Sequence, residues 1–401
     1  MKRSLLYASP FPPQQSGISH YSDLLVRGLS ELFNITLLVH DCDLDPRRYR
    51  GMEIIRYHEP ISWDAYDFKL YNIGNNPWYH AYIYEAALRY PGTIILHDTV
   101  LYYLFTGYYQ TRESFFQQVY EQEGPLGVAF FKDMVKGGRD VLQFQKPDLL
   151  PLNRELINSG NDFLVHSDYA LRSVMDRAKG PVRVGKINMP IGRPANADGR
   201  RRRLLRRFGL PPDALVLGSF GFIAPTKLNH VICETVDRLN AEGKRRVFYL
   251  MVGEGKYVDR YLGPNVQKTG FVSDREYDEC LADVDIVVNL RYPSMGETSL
   301  ALLRAMSFGR PCIVCDDGWF SELPKNVVVK LDPRPEAVLA EMLYDALLLC
   351  FEQPSAFEAM GMGARQWIER EFSVAKIGEQ IAAFLAEPAQ QERPVVAVAG
   401  V

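Results

Sequence analysis

Short apolar runs alternate with helical spacing along almost the whole chain, and they do so in two series. Leu5–Ala8, Ile35–Val39, Lys69–Ile73, Thr93–Leu96 and Phe163–Val165 read as buried strands in the first half. Val216–Phe220, Phe248–Val252, Ile286–Leu290, Pro311–Cys315 and Val327–Lys330 repeat the theme in the second. A strand that is apolar on both faces must be covered on both, and strands separated by helices pair in parallel through crossovers. The chain is therefore expected to be α/β, with two doubly wound domains. Its 401 residues are long for one core and sufficient for two.

The join is expected between Pro190 and Asp198, where the sequence is rich in Pro, Gly and Ala and has no apolar period. That divides the chain into domains at 1–192 and 193–373, with a helix at 374–387 returning to the first and a frayed tail at 388–401. A basic stretch follows the join: Arg200–Arg203, then Arg206 and Arg207, flanking Leu204 and Leu205. It has the charge to grip anionic lipid or an acidic substrate, but a solvated helix is the preferred reading.

The net charge of -3 argues against a nucleic-acid binder, which needs a basic face to neutralise phosphates. Of the six cysteines, Cys233, Cys280, Cys312 and Cys350 fall in apolar or helical patterns, which suits a reducing compartment. The N-terminus reads as a first strand and not as a secretory signal. Glu341 and Asp345 interrupt the apolar stretch Ala337–Phe351, which is too short to span a bilayer. The expected location is cytoplasmic, with peripheral attachment at the inner face of a membrane left open.

Ligands of doubly wound sheets bind beyond the carboxyl ends of the strands. Two strand-to-helix junctions have the chemistry for an anion. After the first strand, Ser9–Gly17 leads into a helix whose apolar face is Ile18, Tyr21, Leu24, Leu25, Gly28, Leu29 and Leu32. Amides at a helix N-terminus attract anions, and Gly17 lets a phosphate or sugar approach the backbone. Gly17 relieving a tight turn is the plainer alternative, and there is no GxGxxG fingerprint to indicate a nicotinamide cofactor.

The second junction, Asn289–Cys315, reads NLRYPSMGETSLALLRAMSFGRPCIVC. Its helix is expected from about Thr298 to Gly309, with Pro311 beyond. Glu297 stands at the loop–helix junction, beside the amides of Thr298, Ser299 and Leu300. Those amides could hold a diphosphate while Glu297 accepts hydrogen bonds from sugar hydroxyls. A simple helix cap is the alternative.

This layout resembles the GT-B glycosyltransferases, most closely the large retaining family 4 (glycosyl transferases group 1). That family carries a Glu, seven residues, then a second Glu in a Leu-Leu-Glu-Ala-Met-like stretch; here the stretch is Leu302-Leu303-Arg304-Ala305-Met306. Arg304 occupies the position of the ribose-binding glutamate, and Gly296 that of the first glutamate, with Glu297 one step later. The loop is similar to that of a subgroup bearing Gly-Glu-Thr-Ser. Gly218–Lys227 matches the family's strand and loop ending in a phosphate-binding lysine, although the usual arginine five residues before that lysine is Phe222. Arg291 is the candidate for the missing second cation, on chemical grounds. Gly253-Glu-Gly255 and Gly270–Asp274 match loops that surround the donor's base, where Val272 would offer backbone contacts.

The resemblance implies two Rossmann-like domains facing a central cleft. It also implies a histidine beside the transferred sugar, matched here by His97 in Ile94-Ile95-Leu96-His97-Asp98. Asp98, Asn72, Asn75, Asn76 and His80 end neighbouring strands and are candidates for the acceptor side; His166 is equally a packing residue. Cys312 and Cys315 lack a second pair at zinc spacing. Asp283-Val-Asp285 precedes a buried strand, and no hydrolase elbow is present. No metal and no cofactor are expected, and the nucleotide sugar is a substrate.

The expected activity is retaining transfer of a sugar from a nucleoside diphosphate to a growing glycan or lipid-linked saccharide. GDP-mannose is preferred as donor, with UDP-sugars next. In that scheme Lys227 and loop amides hold the leaving diphosphate, which takes the acceptor's proton, while His97 and Glu297 orient the sugar. A noncatalytic nucleotide-sugar-binding partner in polysaccharide assembly and a sugar-nucleotide epimerase are the alternatives.

Overall fold

Both series of apolar runs form parallel sheets. The computed structural model describes residues 2–109, 112–136, 146–194, 203–243 and 246–387. Residues 195–198 of the expected join, Arg200–Arg202 of the basic stretch and the tail from 388 lie outside the described residues. The chain divides into two compact units. One holds Met1–Pro190, Met295–Thr298 and Val374–Val401; the other holds Ile191–Ser294 and Ser299–Ser373.

The first unit runs β1 (Arg3–Ala8), α1 (Gly17–Ser30), β2 (Phe33–Val39), β3 (Glu53–Arg56), β4 (Phe68–Ile73), α2 (Pro77–Arg89), β5 (Thr93–Leu96), α3 (Tyr102–Tyr108), α4 (Arg112–Lys136), α5 (Arg154–Ile157), β6 (Asp162–Val165), α6 (Asp168–Arg177) and β7 (Val184–Lys186). Its seven strands lie in the order β3-β2-β1-β4-β5-β6-β7, all parallel. Leu5, Leu6 and Tyr7 of β1, Ile94 and Ile95 of β5 and Phe163 of β6 are wholly buried, because helices cover the sheet on both sides.

The second unit runs α7 (Arg203–Arg207), β8 (Leu215–Phe220), α8 (Asn229–Ala241), β9 (Val247–Val252), β10 (Val266–Lys268), α9 (Asp274–Asp283), β11 (Ile286–Asn289), α10 (Leu300–Ser307), β12 (Cys312–Cys315), β13 (Val329–Leu331), α11 (Glu336–Glu352) and α12 (Pro354–Glu371). Its six strands lie in the order β10-β9-β8-β11-β12-β13, again all parallel.

In each sheet the chain starts in the middle, winds outward one way, then returns and winds the other way. The reversal falls between β1 and β4 in one unit and between β8 and β11 in the other. Loops leaving two such strands diverge to opposite faces and leave a crevice at the strand ends. The loops after β1 and β4 therefore flank one crevice, and those after β8 and β11 flank another.

The last helix, α13 (Val374–Ala386), belongs to the first unit and packs on α1. Close approach depends on small residues: a Cβ at Gly28 would stand 2.9 Å from Val374 Cγ1. Arg183 lies 3.8 Å from the Phe384 ring centroid and fastens α13 to β7.

The discounted motifs are structural. Asp283 accepts the amides of Arg203 and Leu204 and so caps α7, while Asp285 accepts the amide of Val216. Cys312 and Cys315 lie in buried β12, and all six cysteines are buried free thiols. Among the described residues no group of three His, Cys, Asp or Glu side chains could hold a metal ion, and no helix is long and apolar enough to cross a membrane.

Candidate functional site

In the first unit, polar side chains gather where β4, β5 and β6 end. His97 follows β5 and is only 5% exposed. Its Nε2 lies 3.0 Å from Asn72 Oδ1 on β4 and donates to it, because a carbonyl oxygen only accepts. Tyr21 of α1 meets the His97 ring edge-on at 4.6 Å and the His166 ring at 5.4 Å. His166 follows β6 and donates from Nδ1 to the Ile187 carbonyl at 3.1 Å.

That leaves His97 Nδ1 and His166 Nε2 as buried acceptors, and Tyr21 Oη and Asn72 Nδ2 as buried donors, with no hydrogen-bond partner among the described residues. The set mixes donors and acceptors, the pattern that a hydroxyl group, donating once and accepting twice, satisfies. Burial holds all three nearby histidines neutral. His97 is pushed well below the usual range, by burial first and then by His166 and His80; His80 and His166 are each pushed down to about 4. His97 is thus a hydrogen-bonding group at neutral pH and not a proton donor of imidazolium type.

The other acceptor-side candidates hold the backbone. Asn75 Oδ1 accepts the amides of Tyr103 at 2.9 Å and Leu104 at 3.1 Å, so it caps α3. Asp98 accepts the Asn75 amide at 2.9 Å. His80 is buried on α2 and donates to the Asn72 carbonyl at 3.0 Å. Asn76 is the N-cap of α2.

Gly17 opens α1 behind its N-cap Ser16. A Cβ built on Gly17 would meet nothing within 4 Å, and its φ lies outside the left-handed region. The fold therefore does not require glycine there, and a tight turn does not account for it. Gly17→Ala is expected to leave thermal stability unchanged and to raise the donor KM. A lower melting temperature with an unchanged KM would instead place the glycine's role in folding.

In the second unit, β8 runs into Gly221 and an exposed Phe222, then a 3-10 turn at Pro225–Lys227 and a left-handed Leu228. This path turns Lys227 back over the strand end, where its Nζ lies 3.4 Å from the Phe220 carbonyl. The segment after β11 is tied to the same turn, because the Tyr292 amide donates to the Thr226 carbonyl at 2.8 Å. Arg291 and Lys227 thus belong to adjoining loops.

A small pocket of about 10 Å³, room for a single phosphate oxygen, is lined by Gly221, Lys227, Asn229 and Asn289 among others. A larger hollow of about 400 Å³ lies along α7 and α9. Its charges are spent on each other in Arg203–Glu279 and Arg207–Glu276 pairs, so it is a weaker candidate.

The helix after β11 starts two residues later than the sequence suggests, at Leu300. Ser299 is its N-cap: Ser299 Oγ accepts the Leu302 amide at 3.3 Å and a bond from Asn289 Nδ2 at 2.9 Å. The donors left to an anion are the Leu300 and Ala301 amides of the first turn; Thr298 lies before the helix. Glu297 sits in the segment that belongs to the first unit and turns its carboxylate back onto its own loop, accepting the Met295 amide at 2.7 Å. Val272 is half-buried just before Ser273, the N-cap of α9.

Arg304 is committed elsewhere. It pairs with Asp278 at 2.6 Å and Asp274 at 3.5 Å and stacks 4.2 Å from the Tyr277 ring centroid. Its guanidinium holds α10 to α9 and is not free to replace a ribose-binding carboxylate.

Residues 211–346 match the family model described as Glycosyl transferases group 1. The matched residues fall on the second unit. The whole chain shares its fold with solved glycosyltransferase structures. Alr3699/HepE of Anabaena, solved with UDP-glucose, superposes with a TM-score of 0.63 at 14% identity, over 96% of this chain and 99% of that one. Sucrose-phosphate synthase of Thermosynechococcus elongatus gives 0.65 at 12% identity, over 96% and 98%. WaaG, a glycosyltransferase involved in lipopolysaccharide biosynthesis, gives 0.59 at 12%, over 95% and 99%. The fold is GT-B. No curated protein sequence matches this chain.

Within the matched residues, sequence reasoning missed Asn229 and Asn289. Each follows or ends a strand-loop unit already singled out, and each donates from a buried amide: Asn229 Nδ2 to Tyr249 Oη at 2.8 Å, Asn289 Nδ2 to Ser299 Oγ. The strand-end rule that located Lys227 and Arg291 would have found Asn289 as well.

Proposed function

We propose that the protein is a retaining, metal-independent glycosyltransferase. It moves a hexosyl group from a nucleoside diphosphate to a hydroxyl of a glycan or lipid-linked saccharide. The observation that carries this reading is the Lys227 turn over the end of β8, inside the stretch that matches the glycosyl transferases group 1 model, in a pocket shared with Asn289, which donates to Ser299, the N-cap of α10. A departing diphosphate accumulates negative charge, and a fixed cation with helix N-terminal amides offsets it without a metal. Arg291, on the adjoining loop, supplies the second cation.

Glu297 accepts hydrogen bonds from the sugar hydroxyls. Neutral His97 orients the sugar by hydrogen bonding, since burial keeps it from carrying a proton at neutral pH. Retention follows if the leaving diphosphate takes the acceptor's proton on the face it departs from. A lipid-linked acceptor would bring the protein to the inner face of a membrane. GDP-mannose and UDP-glucose are the two donors to set against each other; the first is favoured by the loop sequence, and the second is the ligand named for HepE.

The test is thermal unfolding with GDP, UDP, ADP and their hexose conjugates, with and without EDTA. A ligand that binds only the folded state raises its stability. One nucleotide family should raise the melting temperature, and EDTA should leave that rise intact. Lys227→Ala should weaken nucleotide binding by roughly 1.5–3 kcal/mol, the value of a hydrogen bond to a charged group. No shift with any nucleotide at millimolar concentration would sink the transferase reading, and a shift abolished by EDTA would sink the metal-free part.

A further inference from the structure

The loop that carries Glu297 is held by a buried chain of hydrogen bonds within the first unit. The Met295 carbonyl accepts the amides of Thr99 at 2.9 Å and Val100 at 3.2 Å, and Thr99 Oγ1 at 3.2 Å. Met295 in turn donates its amide to Glu297 Oε2. Gly296 between them has φ +79, and a Cβ there would stand 2.0 Å from Thr99 Oγ1, so only glycine permits this seating.

Thr99 is fixed from behind. Its carbonyl accepts Asn153 Nδ2, and Asn153 Oδ1 accepts Arg177 Nε. Arg177 also pairs with Glu123, whose Oε1 accepts the Leu152 amide at 2.7 Å. Asn153 is wholly buried, and Leu152 beside it sits at φ +49. A branched side chain adopts that conformation only where its surroundings over-determine it, and such strain collects around functional sites.

We propose that Asn153 is a positioning residue: through Thr99 and Met295 it sets where the Glu297 carboxylate stands. This rests on the glycosyltransferase reading for its kinetic consequence, while the structural link stands apart from it. Displacing a reacting group's partner by about 1 Å can cost on the order of 100-fold in rate.

Asn153→Asp isolates the link. Aspartate keeps an acceptor for Arg177 but cannot donate to the Thr99 carbonyl. Turnover is followed as nucleotide release from whichever of UDP-glucose, GDP-mannose or ADP-glucose the wild-type protein consumes. Asn153→Asp should lower kcat by roughly 10- to 100-fold with the donor KM within about twofold. In a Glu297→Gln background the same change should have no further effect, because the two act in series. The Met295 methyl resonance, assigned with Met295→Leu, should move in Asn153→Asp.

Full turnover in Asn153→Asp, equal losses in both backgrounds, or an unmoved Met295 methyl would each overturn the assignment. If Asn153→Asp does not fold, Thr99→Val replaces it, removing only the hydroxyl bond to Met295; its Met295 methyl must move and its kcat fall, or the link is wrong. A wild type that consumes none of the three donors would count against the transferase reading alone, and the methyl resonance would still decide the Asn153 link.

Discussion

Gly253→Ala is expected to destabilise the second unit by about 3–5 kcal/mol, from overpacking plus the loss of two backbone hydrogen bonds. A Cβ at Gly253 would lie 2.0 Å from the Gly221 carbonyl oxygen and 2.7 Å from its carbon. These are backbone atoms, so no rotamer change relieves the clash. The two loops are also zipped together: the Gly221 amide donates to the Val252 carbonyl at 2.9 Å, and the Ile223 amide to the Glu254 carbonyl at 2.8 Å. Gly255 repeats the constraint against the Ile223 carbonyl at 2.1 Å. Making room for one methyl means parting the loops and shifting the turn that carries Lys227. At about 2–4 °C per kcal/mol for a unit of this size, the melting transition should fall by roughly 6–20 °C. Nucleotide binding should weaken with it. Gly263→Ala, where a Cβ meets nothing within 4 Å, is the control and should leave the transition in place. A Gly253→Ala variant that melts with the wild type would mean the two loops do not approach as closely as described.

The same pair of loops shows what the sequence could and could not reveal. All ten apolar runs found in the sequence correspond to strands of the two sheets, because a strand covered on both faces must be apolar throughout. The strands it did not reveal, β3, β7 and β10, stand at sheet edges, where three or four mostly half-buried residues leave no continuous apolar signal. The start of α10 was misjudged by two residues because Ser299 takes its capping role from Asn289, ten positions earlier, a tertiary contact.

The site was legible where a polar residue ends a buried strand, as at His97, or where a turn and a lysine follow one, as at Lys227. The candidate site was not legible where its geometry depends on distant pairing. Tyr21, Asn72 and His166 come from three elements, and nothing in their local sequence says that they meet around His97. Arg304 stands in the position of a ribose-binding carboxylate by sequence, but Asp278 and Asp274 on α9 already claim its charge.

The histidine cluster has a second consequence, for stability against pH. His80 and His166 are buried, and burial outweighs the hydrogen bond that each donates from Nδ1–H to a backbone carbonyl, so each is held neutral in the folded protein. Burial pushes both from 6.5 down to about 4. In the unfolded chain they take up protons near pH 6.5, so between 6.5 and about 4 the unfolded state binds more protons than the folded one. Their contribution to stability is fully present above pH 6.5 and is lost as the pH falls through that window. The full slope is about 1.4 kcal/mol per pH unit for each histidine and is reached below pH 6.5, so acidification from about pH 6.5 to about pH 5 should remove roughly 3 kcal/mol for the pair. His97 is lowered too and acts in the same direction. Ordinary carboxylates stay largely ionised in both states down to about pH 5, which isolates the histidines. The measurement is thermal unfolding across that range, alongside the ring resonances of the histidines. The melting temperature should fall steadily, and the His80 and His166 resonances should remain neutral at about pH 5.5, about a unit below the ordinary histidine value. His166→Gln should flatten the pH dependence by about a third, since one of the three histidines held neutral is gone. If both resonances titrate near 6.5, the cluster is open to water, and the neutral role assigned to His97 goes with it.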